Sequence, residues 1–169
     1  DTKSKEFFIQ SSTRKVGRVM LTIISVFMAC ILLLASVLLL MSPGKPEPMV
    51  DENGRPLEGS ISEKIFIKIN GLEQGMIIQS KDSSNPVLLY LHGGMPDYFL
   101  KDKYPTGMED EFTVVWWEQR GSGLSYNESI SKESITLEQL ISDTIEVTNY
   151  LRNRFHQEKI YLMGRSGGS

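Results

Sequence analysis

The pattern of apolar and polar positions divides the chain into four stretches. From Val19 to Met41 the run VMLTIISVFMACILLLASVLLLM carries no charge, and as a helix it would span roughly 35 Å at 1.5 Å per residue, enough for a bilayer core of about 30 Å. Residues 42–60 hold four of the seven prolines together with glycines and charges and show no apolar periodicity; they read as an extended linker. A folded domain is expected over residues 61–169. Its first strand is marked by Ile65, Ile67 and Ile69 alternating with Lys64, Phe66 and Lys68. Asn70-Gly71 is a hairpin turn signal, and Gly75–Gln79 returns as a second strand.

Val87–Leu91 (VLLYL) and Phe112–Trp117 (FTVVWW) are unbroken apolar runs, the pattern of strands buried on both faces. Residues 93–111 between them read as a long loop with one short helical turn. Thr136–Phe155 is the clearest helix, with Leu137, Leu140, Ile141, Thr144, Thr148, Leu151 and Phe155 on one face and Thr136 with Gln139 as a capping box. Lys159–Met163 is a fifth strand. Antiparallel strands first, then strand, strand, helix, strand, predict an α/β sheet that becomes parallel toward its centre.

Charge orients the N-terminal part. Five basic residues (Lys3, Lys5, Arg14, Lys15, Arg18) precede the apolar run, whereas only Lys45 and Arg55 fall in the next twenty residues. The positive-inside rule therefore places residues 1–18 in the cytoplasm, residues 19–41 across the lipid bilayer, and the rest outside. Two alternatives fit less well. A cleavable signal peptide has a shorter apolar core and a small-x-small site, where this chain has Met41-Ser42-Pro43. A lipoprotein signal at Cys30 would sit in mid-run, where a small apolar residue in a lipid-facing helix accounts for it.

The net charge of -3 gives no electrostatic reason to expect a nucleic-acid partner. One cysteine and two histidines cannot build a Cys/His metal cluster, and nothing in the chain calls for a cofactor. Gly121-x-Gly123 lacks the third glycine of a dinucleotide fingerprint and the helix that should follow, so this segment reads as a tight structural loop, with Arg120 as a buried brace. Asn127-Glu128-Ser129 is a formal glycosylation acceptor on the outer side.

The chemistry concentrates after the fifth strand, in Gly164-Arg165-Ser166-Gly167-Gly168. G-x-S-x-G is common in loops, but directly after a buried strand it fits a nucleophile elbow, in which a serine sits in a sharp strand-to-helix turn and flanking glycines Gly164 and Gly168 let neighbouring backbone approach. Acyl transfer also needs two backbone N–H donors at the developing oxyanion. Gly167, after the serine, would supply one. Gly94, in the His92-Gly93-Gly94 loop that ends the third strand, is the candidate for the other, with Met95 as the alternative. In this chain order the acid and base follow the serine, so His92 is expected to brace the oxyanion loop rather than act as base. His156 closes the long helix, where a partly charged imidazole suits the helix dipole.

Taken in order, His92-Gly93-Gly94, then Trp117-Glu118-Gln119-Arg120-Gly121-Ser122-Gly123-Leu124-Ser125, then Gly164-Arg165-Ser166-Gly167-Gly168-Ser169 resemble the proline iminopeptidase branch of the α/β-hydrolase superfamily, whose members show HGGPG, DQRGSGRS and GGSWGS. The match covers roughly residues 62–169. Met95-Pro96-Asp97 stands in place of Pro-Gly, Glu118 in place of Asp, Leu124 in place of Arg, and Gly167 in place of Trp. The resemblance implies the N-terminal part of an α/β-hydrolase fold behind one transmembrane helix. It implies a serine hydrolase, with Ser166 as nucleophile, acting on a small ester, amide or short peptide, aminopeptidase-like action included. A triad needs an acid and a histidine beyond Ser166, so the chain as given is expected to be inactive and to represent part of a longer protein. The absent initiator Met points the same way, and Ile160–Met163 is expected to carry a bare strand edge. A non-catalytic homologue serving as a membrane-tethered binding module is the competing reading. The epoxide hydrolase or dehalogenase branch would want an Asp where Ser166 stands.

Overall fold

The computed structural model describes residues 2–41, 44–101 and 103–169, with side chains from Lys15 onward except Met41. Ser42-Pro43, within the expected linker, and the Lys3, Lys5 and Arg14 side chains of the basic segment lie outside that description. The chain forms two compact units, Asp1–Gly44 and Lys45–Ser169. The first is one helix, α1 (Thr2–Met41), which runs through both the basic stretch and the apolar run. Lys15–Leu40 within it is long and apolar enough to cross a membrane. Thr22 and Ser36 bond back to the carbonyls of Arg18 and Leu32, so their hydroxyls add no unsatisfied polar group to the apolar surface.

The second unit is built on a five-stranded sheet: β1 (Ile61–Ile69), β2 (Leu72–Ser80), β3 (Val87–Leu91), β4 (Thr113–Trp117) and β5 (Tyr161–Gly164), in the order β1-β2-β4-β3-β5. Asn70 (φ 43°) and Gly71 (φ 82°) close the β1–β2 hairpin with both turn residues left-handed, as a two-residue type I′ turn requires. β2 pairs antiparallel with β4, whereas β3 pairs parallel with β4 on one side and with β5 on the other. The two unbroken apolar runs thus occupy the middle of the sheet, where both faces are covered.

Alternation along β4 divides the core. Val115 and Trp117 join Ile69, Met76, Ile78, Val87 and Leu89 on one face, and Val114 and Trp116 join Ile77 and Tyr90 on the other. The described residues of 93–111 hold two short helical segments where one turn is expected, a 3-10 turn at Tyr98–Leu100 and the helix α2 (Met108–Glu111), and both Tyr98 and Met108 pack against the second cluster. The long helix α3 (Leu137–Arg154) lies on the first face and begins at Thr136, whose side chain accepts the Gln139 N–H. It ends with His156 at φ 53° and the Gln157 N–H bonded to the Arg152 carbonyl, the left-handed close of a Schellman-type terminus.

The buried face of α3 keeps Leu151 and Phe155 of the expected stripe and departs from the rest. Asp143, Val147 and Leu151 face the sheet with Tyr150 and Phe155 packed beside them, while Leu137 and Ile141 are exposed. The reason is a polar hub that periodicity does not reveal. Asp143 is fully buried and receives the Arg120 guanidinium at 2.7 and 2.9 Å, together with side-chain N–H groups of Asn70, Gln74 and Gln139. Burial alone would raise its carboxyl, but these donors, Arg120 first, hold it below the usual carboxylate range.

Residues 45–60 are tied to this unit. Asp51 receives the N–H groups of Asn53 and Arg55 in a tight turn, the Ser62 hydroxyl bonds the Glu47 carbonyl, and the Ser83 N–H reaches the Gly59 carbonyl. β5 forms the sheet edge beyond β3, with Tyr161, Leu162 and Met163 exposed.

Candidate active site

β5 ends at Gly164, and the chain turns at once into a single 3-10 turn over Ser166–Gly168. Ser166 has φ 53°, a left-handed conformation that crowds any residue with a Cβ. It is held there by hydrogen bonds from the Gly168 N–H to the Arg165 carbonyl at 3.0 Å and from the Ser169 N–H to the Ser166 carbonyl at 3.1 Å. The glycines on either side are required by space. A Cβ at Gly164 would run into the carbonyl oxygen of Gly168, and one at Gly168 would strike the Leu91 carbonyl oxygen at the end of β3.

The loop after β3 lies directly against this turn. A Cβ at Gly93 would come within 3.0 Å of Ser166 Cβ, 3.1 Å of the Arg165 carbonyl oxygen and 3.5 Å of Ser166 Oγ. Gly93 is therefore the glycine of the His92-Gly93-Gly94 run that the close approach favours. A Cβ added at Gly94 or at Gly167 would meet no atom within 4 Å, so steric need does not explain glycine at those two positions.

His92 is buried beneath this loop. Its Nε2 accepts the Gln119 backbone N–H at 3.0 Å, which leaves the proton on Nδ1, and Nδ1 donates to the Gly93 carbonyl at 2.7 Å. Gln119 Nε2 reaches back to the His92 carbonyl at 3.2 Å, and the Ser122 hydroxyl donates to the Gln119 carbonyl. Both ring nitrogens are thus committed to the loop framework. Among the described residues the exposed Ser166 hydroxyl has no hydrogen-bond partner, and His156 sits at the end of α3, remote in the fold from the elbow. Among the same residues no group of His, Cys, Asp and Glu could hold a metal ion.

The segment after β4 is a structural corner. The Glu118 backbone N–H bonds the Gly75 carbonyl, its carboxylate receives the Leu124 N–H, and its carbonyl receives the Ser125 hydroxyl, which in turn accepts the Gly75 N–H at 2.8 Å. Gly75 permits the contact, since a Cβ there would collide with Leu124. Arg120 leaves this corner for Asp143, so the buried guanidinium serves the framework.

Sequence reasoning passed over one cluster. Asp97 Oδ1 receives Arg165 Nη1 at 2.5 Å and Asp97 Oδ2 receives the Tyr90 hydroxyl at 3.0 Å. The available signal was an acidic residue closing the loop after β3 and a basic residue at the variable position just before the serine. Two cavities flank the elbow. One of about 480 Å³ is lined by Tyr90, Asp97, Lys101, Trp116, Met163 and Arg165. The other, of about 430 Å³, runs between Gly167–Ser169 and the exposed apolar stripe of α3, Leu137, Ile141 and Ile145.

No family model matches the chain. It is 43% identical over 116 residues to the probable aminopeptidase YbaC of Bacillus subtilis (strain 168), an alignment covering 68% of this chain and 36% of that protein. Among solved structures it is similar to a proline iminopeptidase-related protein of Thermus thermophilus, with a TM-score of 0.52 at 25% identity over 64% of this chain and 37% of the other. The epoxide hydrolase VrEH1 of Vigna radiata superposes with a TM-score of 0.51 at 18% identity, over 66% of this chain and 33% of the other, a likeness of fold. The chain thus spans about a third of the length of these relatives.

Proposed function

We propose that this chain, which belongs to the α/β-hydrolase superfamily, carries the nucleophile and the oxyanion side of a serine hydrolase tethered to a membrane. The observation that carries the reading is the left-handed Ser166 directly after β5, which runs parallel to β3, packed against the glycine loop after β3. A non-glycine residue in that conformation persists only where surrounding structure enforces it, and such residues cluster at reactive sites. In this reading Ser166 Oγ attacks the carbonyl carbon of a small ester, amide or short peptide; the C–O or C–N bond then breaks, the alcohol or amine leaves with the proton the serine gave up, and the acyl-enzyme that remains is hydrolysed by water. The Gly167 N–H and the N–H of Gly94, or of Met95, stabilise the oxyanion. His92 keeps the loop in place without exchanging protons, because its two nitrogens are already bonded.

A histidine and an acid from outside residues 1–169 complete the triad in the whole protein. The name of the Bacillus relative supports peptides with a free N-terminus as the substrate class. The apolar stretch of α1 serves as a membrane anchor with the N-terminus in the cytoplasm and the hydrolase unit on the outer side.

The test is labelling of the whole protein by a fluorophosphonate probe. Labelling should occur in the wild type and vanish in Ser166→Ala; labelling that persists in that variant would remove Ser166 as nucleophile. A wild type that folds, takes no probe and hydrolyses no ester or aminoacyl substrate would instead favour a tethered binding module.

A further inference from the structure

The Arg165–Asp97 pair touches both segments that the proposed reaction needs, and we infer that Arg165 and Asp97 are positioning residues that set the oxyanion loop against the nucleophile. The inference rests on the serine hydrolase reading and adds two residues to it. Arg165 is bonded on either side of the glycine segment that follows β3. Its backbone N–H donates to the Leu91 carbonyl at 3.0 Å, at the end of β3, and its guanidinium donates to Asp97 at 2.5 Å, just before the 3-10 turn Tyr98–Leu100. Residues 92–96, with the candidate N–H donors of Gly94 and Met95, lie between those two attachments. Ser166 is the next residue along the chain, so one residue couples the position of the loop to the position of the hydroxyl.

Asp97 is suited to this task. Its side chain is only 9% exposed, and each carboxylate oxygen has its own donor, Arg165 on one and Tyr90 on the other. Tyr90 belongs to β3 and packs against Trp116 with ring centroids 4.7 Å apart, so the carboxylate is referred to the rigid centre of the sheet. Burial, then the bond to Asp97, holds the Tyr90 hydroxyl above its ordinary pKa, in keeping with a phenol that donates permanently to that carboxylate. The short gap between loop and elbow at Gly93 leaves little room for a shift, and a displacement of the order of 1 Å at a reacting group can cost about 100-fold in rate.

The experiment uses the whole protein, with p-nitrophenyl acetate hydrolysis and the second-order rate of fluorophosphonate labelling as readouts. Asp97→Asn and Arg165→Met should each lower kcat by about 10-fold with KM within about 2-fold, because the loss falls on transition-state stabilisation. The double variant should be no slower than the slower single, Arg165→Lys should recover most of the rate, and Tyr90→Phe should cost less than about 3-fold. The Arg165 side chain is 59% exposed, so its variants retain the fold and carry the comparison even if Asp97→Asn unfolds. A wild type labelled at Ser166 whose rate ignores both substitutions, or losses that multiply in the double variant, would overturn the coupling alone. Labelling that survives Ser166→Ala would overturn the nucleophile assignment and the purpose of the coupling with it.

Discussion

A serine at φ 53° carries a Cβ that crowds its own backbone, at a cost of about 1–2 kcal/mol that glycine does not incur. Ser166→Gly and Ser166→Ala both remove the hydroxyl, but only the first relieves the crowding. Allowing for the greater freedom of glycine in the unfolded chain, Ser166→Gly should exceed Ser166→Ala in unfolding free energy by about 1 kcal/mol. Denaturant melts of the two variants of the whole protein check this, and equal midpoints would mean that the turn holds no such strain. At the same scale, the roles of the glycines separate. Gly164 and Gly168 are required by backbone atoms that already occupy the place of a side chain, Gly93 is favoured by a tight approach to Ser166, and Gly94 and Gly167 face open space.

Helix α3 is positioned by charge as much as by apolar contact. The N-terminal part of its apolar stripe, Leu137 and Ile141, is turned outward while Leu151 and Phe155 of the same stripe pack on the sheet, because the buried Asp143 must meet Arg120 from the corner after β4, Asn70 from the hairpin and Gln74 from β2. One carboxylate therefore joins four segments. Asp143→Ala would leave the Arg120 guanidinium buried without its partner and should destabilise the unit by about 3–5 kcal/mol. The folded carboxyl is held below the usual range, so its contribution is present above the unfolded value of about 3.8 and is lost as pH falls through the lower folded value. Acid titration of unfolding free energy should show this loss in the wild type and a flatter profile in Asp143→Asn. An unchanged acid limb in that variant would assign the effect to other carboxylates.

At the scale of the whole molecule, the two units have opposite surface requirements. The helix of Asp1–Gly44 presents an uncharged, apolar surface from Val19 to Leu40, while Lys45–Ser169 has a sheet core covered on one face by α3. If the helix is an anchor, the whole protein should stay with membranes through an alkaline carbonate wash, and deletion of residues 1–44 should release it. A tag placed before Asp1 should remain on the mature protein. Loss of that tag would mean that the helix is a cleaved signal sequence.

The strands, the β1–β2 hairpin and the elbow were legible in the sequence because each depends on neighbours in the chain. Alternation at Ile65, Ile67 and Ile69 states which face is buried, Asn70-Gly71 states the turn, and VLLYL and TVVWW state strands without a wet face. The ends of β2 and β5 moved by one to three residues, since pairing with β4 and β3 decides where a strand stops. Other features required the fold. Which stripe of α3 turns inward, that β3 rather than β4 lies beside β5, and that Asp97 meets Arg165 are consequences of contacts between residues tens of positions apart. Local periodicity determines what can be buried; only the packing of distant segments decides which charge finds its partner, Asp143 with Arg120 under α3 and Asp97 with Arg165 beside the serine.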